Sequence, residues 1–346
     1  MAVKRLRDAL AGSGVEVPVM RADQHRRGAT LGRWRFNRGL DAARLNDYDA
    51  VLGINGDGWA VAGDLVPPYV VLIKALYADA LRHERGLTRA LLGAHARWEG
   101  EGARRADIVV TPSAYAAAMV VKHYAVDPAR VHIIAEPFDA PAWRAHLPER
   151  QRSGNRVLCV AHLYPRKRVA DLIDAWRLVQ TRRPDARLDI VGDGPELRHL
   201  VRRANGLDGC YLHGHAGHPG ILEFYARADV FCLPSAQETF GYAAVEAMAS
   251  GLPLVIADAG ALAEVAAGAV AEHVRVGAVG ELAAVLMRSL DSSVGIRAAD
   301  VNPRRAAAFA PQTVADSLLA LVADARSRNG QRRDGGSVSR SAGSRR

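Results

Sequence analysis

Short apolar runs alternate with longer amphipathic stretches along most of this sequence. In the first half, apolar runs predict strands over residues 15–20, 50–55, 69–73, 107–111 and 131–135, and helical periodicity predicts helices over 2–11 and 87–105. Ser113 is a typical N-cap for a helix that follows the fourth of these strands. This alternation is typical of an α/β protein with parallel sheets.

The same alternation starts again after a segment rich in Pro, Arg and Gly at residues 140–154, which predicts a linker. The second half carries predicted strands at 156–161, 188–191, 210–213, 230–233 and 254–256, and predicted helices at 169–180, 196–204, 220–226, 242–250, 281–290 and 311–327. We therefore expect one domain over 1–145 and a second over 155–310. The Gly/Ser/Arg-rich tail, 329–346, cannot bury a core and is predicted to be disordered.

Composition changes this picture little. Hydrophobic residues make up 49 % and charged residues 24 % of the 346, as in globular proteins. The three cysteines, Cys159, Cys210 and Cys232, lie in apolar strand-like runs, which favours core positions in a reducing compartment. Because we find neither a bilayer-spanning apolar run nor the apolar core of a signal peptide, we expect a cytoplasmic protein.

Positive charge is concentrated at the two ends. The net charge is +9, and residues 1–38 hold nine Lys/Arg against three Asp/Glu. Basic ends favour either solvated arms or contact with an anionic surface, so peripheral contact with the inner face of a membrane is one expectation. No nucleic-acid-binding motif accompanies the charge, and we expect no nucleic-acid partner.

The segment 234–253 contains the chemistry that is most informative. A predicted strand runs into a loop, and a helix starts near Gly241, so unpaired N–H groups at that helix end favour a bound diphosphate. Glu246 lies in an Ala-rich helix that we expect to be buried nearly all round, where a carboxylate needs a partner. That partner is either a ribose diol or a neighbouring backbone N–H or arginine. Glu238 alone is equally consistent with a favourable charge before a helix.

Taken together, Glu238-x7-Glu246, the following Ala247-Met-Ala-Ser-Gly251-x-Pro253 and Asp258-Ala-Gly260-x3-Glu264 resemble the signature of the family-four retaining glycosyltransferases, in the glycosyl transferases group 1. The resemblance implies a GT-B fold, in which two Rossmann-like domains face a central cleft and the final helix, 311–328, crosses back to the first domain. It also implies that Glu246 binds the nucleotide ribose and that Glu238 contacts the donor sugar and supports turnover. Phe240, Gly241 and Tyr242 would hold the sugar and phosphates, and Glu264 either supports the same site or is an ordinary first-turn glutamate.

A second motif, from Val157 to Arg168, resembles the family's first strand and loop in this domain. Lys167 matches the family's lysine, which implies charge stabilisation of the leaving diphosphate. His162 stands where the family has an arginine and is a weaker cation. Arg166 or Arg168 either compensates for it or is simply solvated.

Two further turns match the family's donor site more loosely. Gly192 and Gly194, after a predicted strand, resemble a turn that lines the donor. His215 lies where the family holds the base, so it either stacks on the base or is an ordinary turn histidine.

The N-terminal half departs from the family. The family begins with a strand and a Gly-rich loop, whereas Met1 leads almost directly into a helix, so we expect the first domain to lack its first strand. Many members carry a histidine after the strand equivalent to 69–73, and this sequence has none there. Either Lys74 or Tyr77 faces the site, or the local geometry differs. The loop from Asn55 to Trp59 is a candidate for the acceptor side.

The sequence thus predicts an enzyme that transfers a sugar from a nucleotide-diphospho-sugar to an unknown acceptor (a glycan, a lipid or a small molecule), with retention of configuration. The resemblance implies no cofactor and no metal. Two alternatives stay open: a catalytically impaired nucleotide-sugar-binding partner protein, favoured by His162 and the missing first strand, and a GT-B nucleotide-sugar epimerase.

Overall fold

A computed structural model of the chain describes residues 2–21, 29–150 and 153–338. The chain divides into two compact units, the first formed by Met1–Glu136 with Gln312–Arg346 and the second by Pro137–Pro311. Each unit is built on one sheet, and every strand pair in the two sheets is parallel. The predicted α/β class with parallel sheets is therefore confirmed.

The strands of the described residues are, in chain order, β1 (Val51–Ile54), β2 (Tyr69–Leu72), β3 (Ile108–Thr111), β4 (Val131–Ile133), β5 (Arg156–Val160), β6 (Arg187–Val191), β7 (Cys210–Leu212), β8 (Val230–Leu233), β9 (Leu254–Ala257) and β10 (Ala271–Val274). The first sheet has the order β1-β2-β3-β4 and the second the order β10-β9-β8-β5-β6-β7.

The helices of the described residues are α1 (Ala2–Gly12), α2 (Ala29–Arg38), α3 (Ala42–Leu45), α4 (Tyr77–Ala80), α5 (Gly86–Arg105), α6 (Ala114–Tyr124), α7 (Ala140–Ala145), α8 (Val169–Gln180), α9 (Leu197–Ala204), α10 (His218–Arg227), α11 (Tyr242–Ala249), α12 (Leu262–Val265), α13 (Val279–Ser289), α14 (Ser292–Ala307) and α15 (Pro311–Val338). Ser113 caps α6 as predicted, because its Oγ accepts a hydrogen bond from Ala116 N at 3.1 Å.

Both central strands of the first unit are buried on both faces, which explains their continuous apolar runs. On one face, Val70 of β2 packs with Leu6 and Leu10 of α1 and with Val314 and Leu318 of α15. The C-terminal helix is therefore part of the first unit's core. It continues to Val338 rather than ending near 327, since a helix anchored by packing propagates at little cost. The rest of the predicted disordered tail, 339–346, lies outside the described residues, as do residues 22–28 of the basic N-terminal segment.

One helical segment departs from the expectation that no run could cross a bilayer. By length and composition, Ser293–Arg328 is apolar enough to do so, with a mean hydropathy of 1.4 in its most apolar window. Within this segment Val314, Ala315 and Leu318 are buried in the first unit's core, which is equally the behaviour of a core helix.

One core cluster of the second unit lies between its sheet and the helices α8 and α13. Leu172, Ile173 and Trp176 of α8 are fully buried there against Leu282 and Leu286 of α13 and against the strands. Hydrophobic residues recur every three to four positions along α8, as its sequence predicts, and form one apolar face. This packing fixes the start of α8, and with it the loop that precedes the helix.

Three local predictions were wrong. Residues 15–20 are not a strand, since Pro18 has no N–H to donate to a ladder and the run pairs with no strand in the described part of the chain. Conversely, β10 was missed because its edge position leaves Glu272 and His273 exposed and removes the apolar run. The helix α14 was also missed, since Pro303 interrupts its helical pattern.

The predicted linker, 140–154, contains the helix α7, and residues 137–145 belong to the second unit rather than to a first domain ending at 145. The reason is a buried anchor: Trp143 Nε1 donates a hydrogen bond to Ser250 Oγ at 2.9 Å. Phe138 packs beside Trp143, and Phe138 N donates to Phe309 O at 2.7 Å.

Candidate functional site

The order of the second sheet defines where a ligand should bind. From β5 the chain winds to β6 and β7 on one side, and then to β8, β9 and β10 on the other. The winding direction therefore changes between β5 and β8, and ligands of open parallel sheets bind outside the carboxyl ends of strands at such a point. The loops after these two strands carry the candidate residues Lys167 and Glu238.

These two loops are joined by both backbone and side-chain contacts. Ala236 N donates to Arg166 O at 2.8 Å, and Lys167 Nζ lies 2.5 Å from Glu238 Oε1. The Lys167 and Glu238 side chains are only 13 % and 11 % exposed. The structure thus brings together two residues that lie 71 positions apart and that the sequence analysis had assigned to one site.

Other cationic residues surround this pair. His162 is exposed at the end of β5, and its pKa is lowered by partial desolvation and then by the positive charges of Lys167 and Arg166, with a smaller contribution from His215. His162 is therefore neutral at neutral pH, as expected for a histidine among cations. The result is a patch of basic side chains, formed by His162, Arg166, Lys167 and His215, at the carboxyl ends of β5 to β7.

The two neighbouring arginines have different roles. Arg168 forms an ion pair with Asp171 at 2.7 Å in the first turn of α8, so it stabilises that helix start. The Arg166 guanidinium lies 4.5 Å from the centre of the Tyr164 ring and contributes to the field at His162. Of the two residues considered as substitutes for the family's arginine, Arg166 has the better position.

Glu246 projects from α11 on a face that is not closed. Tyr242, Ala243 and Glu246 are half-buried, whereas the other residues of the helix are buried. The expectation that this helix is buried nearly all round was therefore wrong. Glu246 Oε2 accepts a hydrogen bond from the Tyr225 hydroxyl at 3.1 Å. Tyr225, on α10, is a partner that sequence reasoning missed, because a tyrosine in an amphipathic helix normally indicates only packing.

The start of α11 has the geometry that the sequence predicted. Gly241 takes a positive φ of 92° before the first turn, a conformation that glycine adopts without strain. Phe240 is buried against Phe309, with ring centres 5.1 Å apart. Its side chain is therefore part of the hydrophobic core, and only its backbone lies along the loop before α11. The Tyr242 hydroxyl donates to Pro137 O at 3.4 Å.

The Asp258–Glu264 part of the signature contacts the backbone of Glu238. Ala261 N donates to Glu238 O at 3.0 Å, and a Cβ on Gly260 would lie 2.6 Å from that same oxygen. Only glycine therefore fits beside Glu238. Glu264 is exposed on α12, the short helix that follows.

The glycine turn after β6 serves close packing. A Cβ on Gly192 would lie 1.8 Å from Ala161 O, and one on Gly194 would lie 2.6 Å from Leu163 O. Gly192 N also donates to Gly214 O at 2.8 Å, which places the turn next to the loop that carries the exposed His215. Both glycines hold the 161–163 backbone in place, and a direct contact with a donor is not needed to explain them.

In the first unit, Lys74 and Tyr77 are engaged by their own unit. Lys74 Nζ lies 2.5 Å from Glu136 Oε2, with both side chains largely buried. Tyr77 accepts a hydrogen bond from Arg33 at 3.2 Å, and Arg33 Nε pairs with Asp57 at 2.7 Å. Arg33 was missed because its partner lies in an Asn-Gly-Asp-Gly run that sequence reasoning treats as an ordinary turn.

The described ranges contain no group of three or more His, Cys, Asp or Glu side chains that could hold a metal ion. Metal independence stays a prediction.

Two α/β units, each on a parallel sheet, define the class of the chain: its fold is that of GT-B glycosyltransferases. Residues 154–292 match the family model described as glycosyl transferases group 1. This match lies within the second unit, and it agrees with the family resemblance of the signature.

Relatives and solved structures are similar to this chain in the same way, the relatives in sequence and the solved structures in fold. The MMP alpha-(1->4)-mannosyltransferase of Mycolicibacterium hassiacum is 33 % identical over 228 residues, 63 % of this chain and 54 % of the relative. A glycogen synthase of Mycobacterium tuberculosis is 30 % identical over 56 % of this chain and 48 % of its own length, so the matches span about half of these relatives.

Among solved structures, the sucrose-phosphate synthase of Thermosynechococcus elongatus superposes with a TM-score of 0.74, at 20 % identity over 93 % of this chain and 92 % of that chain. HepE of Anabaena, in complex with UDP-glucose, gives a TM-score of 0.71, at 19 % identity over 92 % and 88 %. At these identities the likeness concerns the fold.

Proposed function

We propose that this protein is a glycosyltransferase that transfers a sugar from a nucleotide-diphospho-sugar to an acceptor, with retention of configuration. The observation that carries the proposal is the nearly buried Lys167–Glu238 pair where the winding of the second sheet changes direction. Removing two charges from water costs desolvation free energy, and a role in ligand binding accounts for keeping such a pair.

The donor's parts match the groups around this pair. The ribose diol pairs with the Glu246 carboxylate, which sits on the open face of α11 and has the Tyr225 hydroxyl beside it. The diphosphate lies at the start of α11, where the positive end of the helix dipole favours an anion. Lys167 and Arg166 add positive charge, and His162 adds to it only in acid, where it is protonated. The names of the relatives, a mannosyltransferase and a glycogen synthase, support a sugar donor.

In the proposed reaction, the bond between the sugar C1 and the diphosphate oxygen breaks and the acceptor oxygen bonds to C1 from the same face. The acceptor's proton passes to the departing phosphate oxygen, so no protein nucleophile is required. Lys167 stabilises the charge that develops on that phosphate, and such preorganised charge is among the largest contributions to catalysis. Glu238 orients Lys167 and borders the sugar. The Glu238–Glu246 signature supports the retaining outcome.

The test is donor turnover by the full chain. We would incubate it separately with UDP-glucose, GDP-mannose and ADP-glucose, measure nucleotide release, and identify the anomer of the freed sugar by proton NMR. We expect release from one donor, with water as the slow acceptor and the donor's anomer appearing first. Lys167→Ala should slow release by roughly 100-fold, and Lys122→Ala, at an exposed position on α6, should not.

Two results would contradict the proposal. The first is release of the opposite anomer, which would show that the reaction does not retain the anomeric configuration. The second is binding of a donor with no nucleotide release, which would favour the binding-partner alternative.

A further inference from the structure

A groove in the first unit lies outside the candidate donor site and includes Trp59 at the end of the Asn55–Trp59 loop. It has a volume of about 740 Å³ and is lined by Trp34, Trp59, Gly93, Ala94, Arg97, Trp98 and Glu101. Three of the chain's five tryptophans therefore line one surface, in a sequence with only 6 % aromatic residues. Ligand pockets in proteins have volumes of roughly 300–1,000 Å³ and a similar mixture of aromatic walls and few polar groups.

The groove is held open by contacts around its walls. The loop that carries Trp59 is fixed because Asn37 Oδ1 accepts from Gly58 N at 2.6 Å and Arg105 donates to Trp59 O at 2.9 Å. On α5, the Trp98 ring packs against the His95 ring, with centres 5.6 Å apart. Ligand binding would thus not need to order the loop or the helix.

Trp34 is the most telling wall residue. It is 38 % exposed on α2, although an indole ring gains much from burial. The Arg38 guanidinium lies 5.7 Å from its ring centre and helps to hold the ring. Exposed apolar surface that lines a concavity commonly marks a binding site.

The polar groups in the groove suit hydroxyl ligands. Glu101 accepts from Arg104 at 2.8 Å and Arg105 at 2.6 Å, and the guanidinium of Arg104, with that of Arg105, lowers the pKa of its carboxyl group. The carboxylate stays ionised and keeps further lone pairs for hydroxyl donors, while the exposed Arg97 supplies N–H donors. Indole faces carry negative potential and attract polarised C–H groups. Flat faces with C–H groups, edged by hydroxyls, are the chemistry of a pyranose ring.

We propose that this groove binds an oligosaccharide and thereby holds the acceptor glycan of the enzyme. The role as an acceptor site rests on the proposed function, whereas saccharide binding rests on the groove alone. A membrane surface fits less well, because the groove is concave whereas a bilayer surface is flat.

The experiment is a titration of the full chain, without donor, with maltoheptaose and with mannotetraose, followed by tryptophan fluorescence. Trp34→Ala is the main variant. Leu31→Ala is its matched control, since Leu31 is 49 % exposed on the same helix and does not line the groove. Sedimentation with phosphatidylglycerol vesicles is run alongside, and UDP-glucose and GDP-mannose turnover is measured on the same samples.

We expect a saturable fluorescence change with one of the saccharides, roughly tenfold weaker binding in Trp34→Ala, and unchanged binding in Leu31→Ala. No saturable change with either saccharide would overturn the inference. Vesicle binding that both variants lose equally, without saccharide binding, would overturn it in favour of a membrane surface. Because donor turnover is scored separately, failure of the groove and failure of the proposed function are distinguishable.

Discussion

His162 sets the electrostatic character of the candidate donor site. Neighbouring Lys167 and Arg166 add to the desolvation that lowers its pKa, so at neutral pH the residue carries no charge. Where the family has a permanently charged arginine, this site has a cation that appears only in acid. Lys167 and Arg166 must then supply the fixed positive charge near the diphosphate.

The affinity for a nucleotide-sugar should therefore depend on pH. Protonation of His162 requires a pH below its ordinary pKa of about 6.5, so wild-type affinity should rise as the pH falls from 7.5 to 5.5. His162→Arg should bind roughly fivefold tighter at pH 7.5 and lose this dependence. Titration calorimetry at the two pH values checks this, and His215→Gln controls for the other histidine of the patch. Equal pH dependence in wild type and His162→Arg would contradict it.

In the first unit, Glu99 is a buried acid outside the candidate donor site. It is fully buried on α5, where burial raises the pKa of its carboxyl group to about 7. Glu99 Oε2 accepts from Tyr77 N at 2.8 Å and from the Tyr124 hydroxyl, and among the described residues Oε1 has no hydrogen-bond partner. The raised pKa means that the folded state holds a proton that the unfolded state releases.

Stability should consequently depend on pH through this residue. A raised folded-state pKa contributes stability that is complete below the unfolded value of 4.5 and is lost as the pH rises through about 7. Between pH 5 and 7.5 the wild type should lose on the order of 2 kcal/mol more than Glu99→Gln. Urea unfolding at both pH values measures this, with the exposed Glu223→Gln as a control. Parallel pH profiles for wild type and Glu99→Gln would refute it.

At the scale of elements, the site depends on loops packed backbone to backbone. Leu163 N donates to Asp193 O at 2.9 Å, and Glu196 N donates to Leu163 O at 3.0 Å, so the loop after β5 and the turn after β6 form one unit. Gly194 lies between them, where a Cβ would be 2.6 Å from Leu163 O. The position of Lys167 therefore follows from the packing of a neighbouring turn.

Gly194→Ala should destabilise the second unit by about 2 kcal/mol or more, because the backbone on both sides cannot give way. Gly220→Ala is the matched control, since a Cβ there meets only Ala216 Cβ at 3.9 Å. Because Gly220 lies within α10, its replacement by Ala should not destabilise and should gain up to about 1 kcal/mol. Denaturant midpoints of both variants decide the matter, and equal stability of the two would mean that the loop contact is dispensable.

Elements buried on both faces were predictable, and elements at edges were not. The strand β8 has four buried apolar residues in a row, and its predicted bounds match. The edge strand β10 has two exposed polar residues, Glu272 and His273, in its middle and therefore no continuous apolar run. The helix α7 was missed within a Pro-rich segment because only two of its residues, Ala140 and Trp143, are buried, which leaves no apolar pattern to detect.

For the site, the family resemblance assigned Lys167 and Glu238 to one place, and the structure brings the two side chains together. Their proximity follows because parallel strands bring their carboxyl ends to one edge. The Glu246 partner Tyr225 was not predictable, because the crossing of α10 and α11 is set by tertiary packing. The groove of Trp34, Trp59 and Trp98 escaped for the same reason.

At the scale of the molecule, the chain closes its first unit with its last helix. Val314, Ala315, Leu318 and Ala325 of α15 complete a core that begins with Leu6 of α1. Sequence-distant segments therefore fold as one body, and the first unit depends on both ends of the described chain.

A chain that ends at Ala310 should lose the folded first unit, because the removed side chains leave a core face exposed and a domain's net stability is only about 5–15 kcal/mol. A chain that ends at Arg328 keeps all four buried residues of α15 and should behave like the full protein. Limited proteolysis with mass spectrometry locates the unfolded region. Protection of residues 29–136 in the shorter chain would disprove this dependence.

The central claim is that the second unit binds a nucleotide-sugar through Glu246 and the Lys167–Glu238 pair. Thermal unfolding of the full chain with UDP-glucose, GDP-mannose and ADP-glucose tests it most directly, with Glu246→Ala and the exposed Glu223→Ala as paired variants. We predict that one donor raises the melting temperature of wild type and Glu223→Ala by a few degrees, and that Glu246→Ala loses this shift. If no donor stabilises the wild type, or if Glu246→Ala is stabilised as much as the wild type, the assignment of the donor site is wrong.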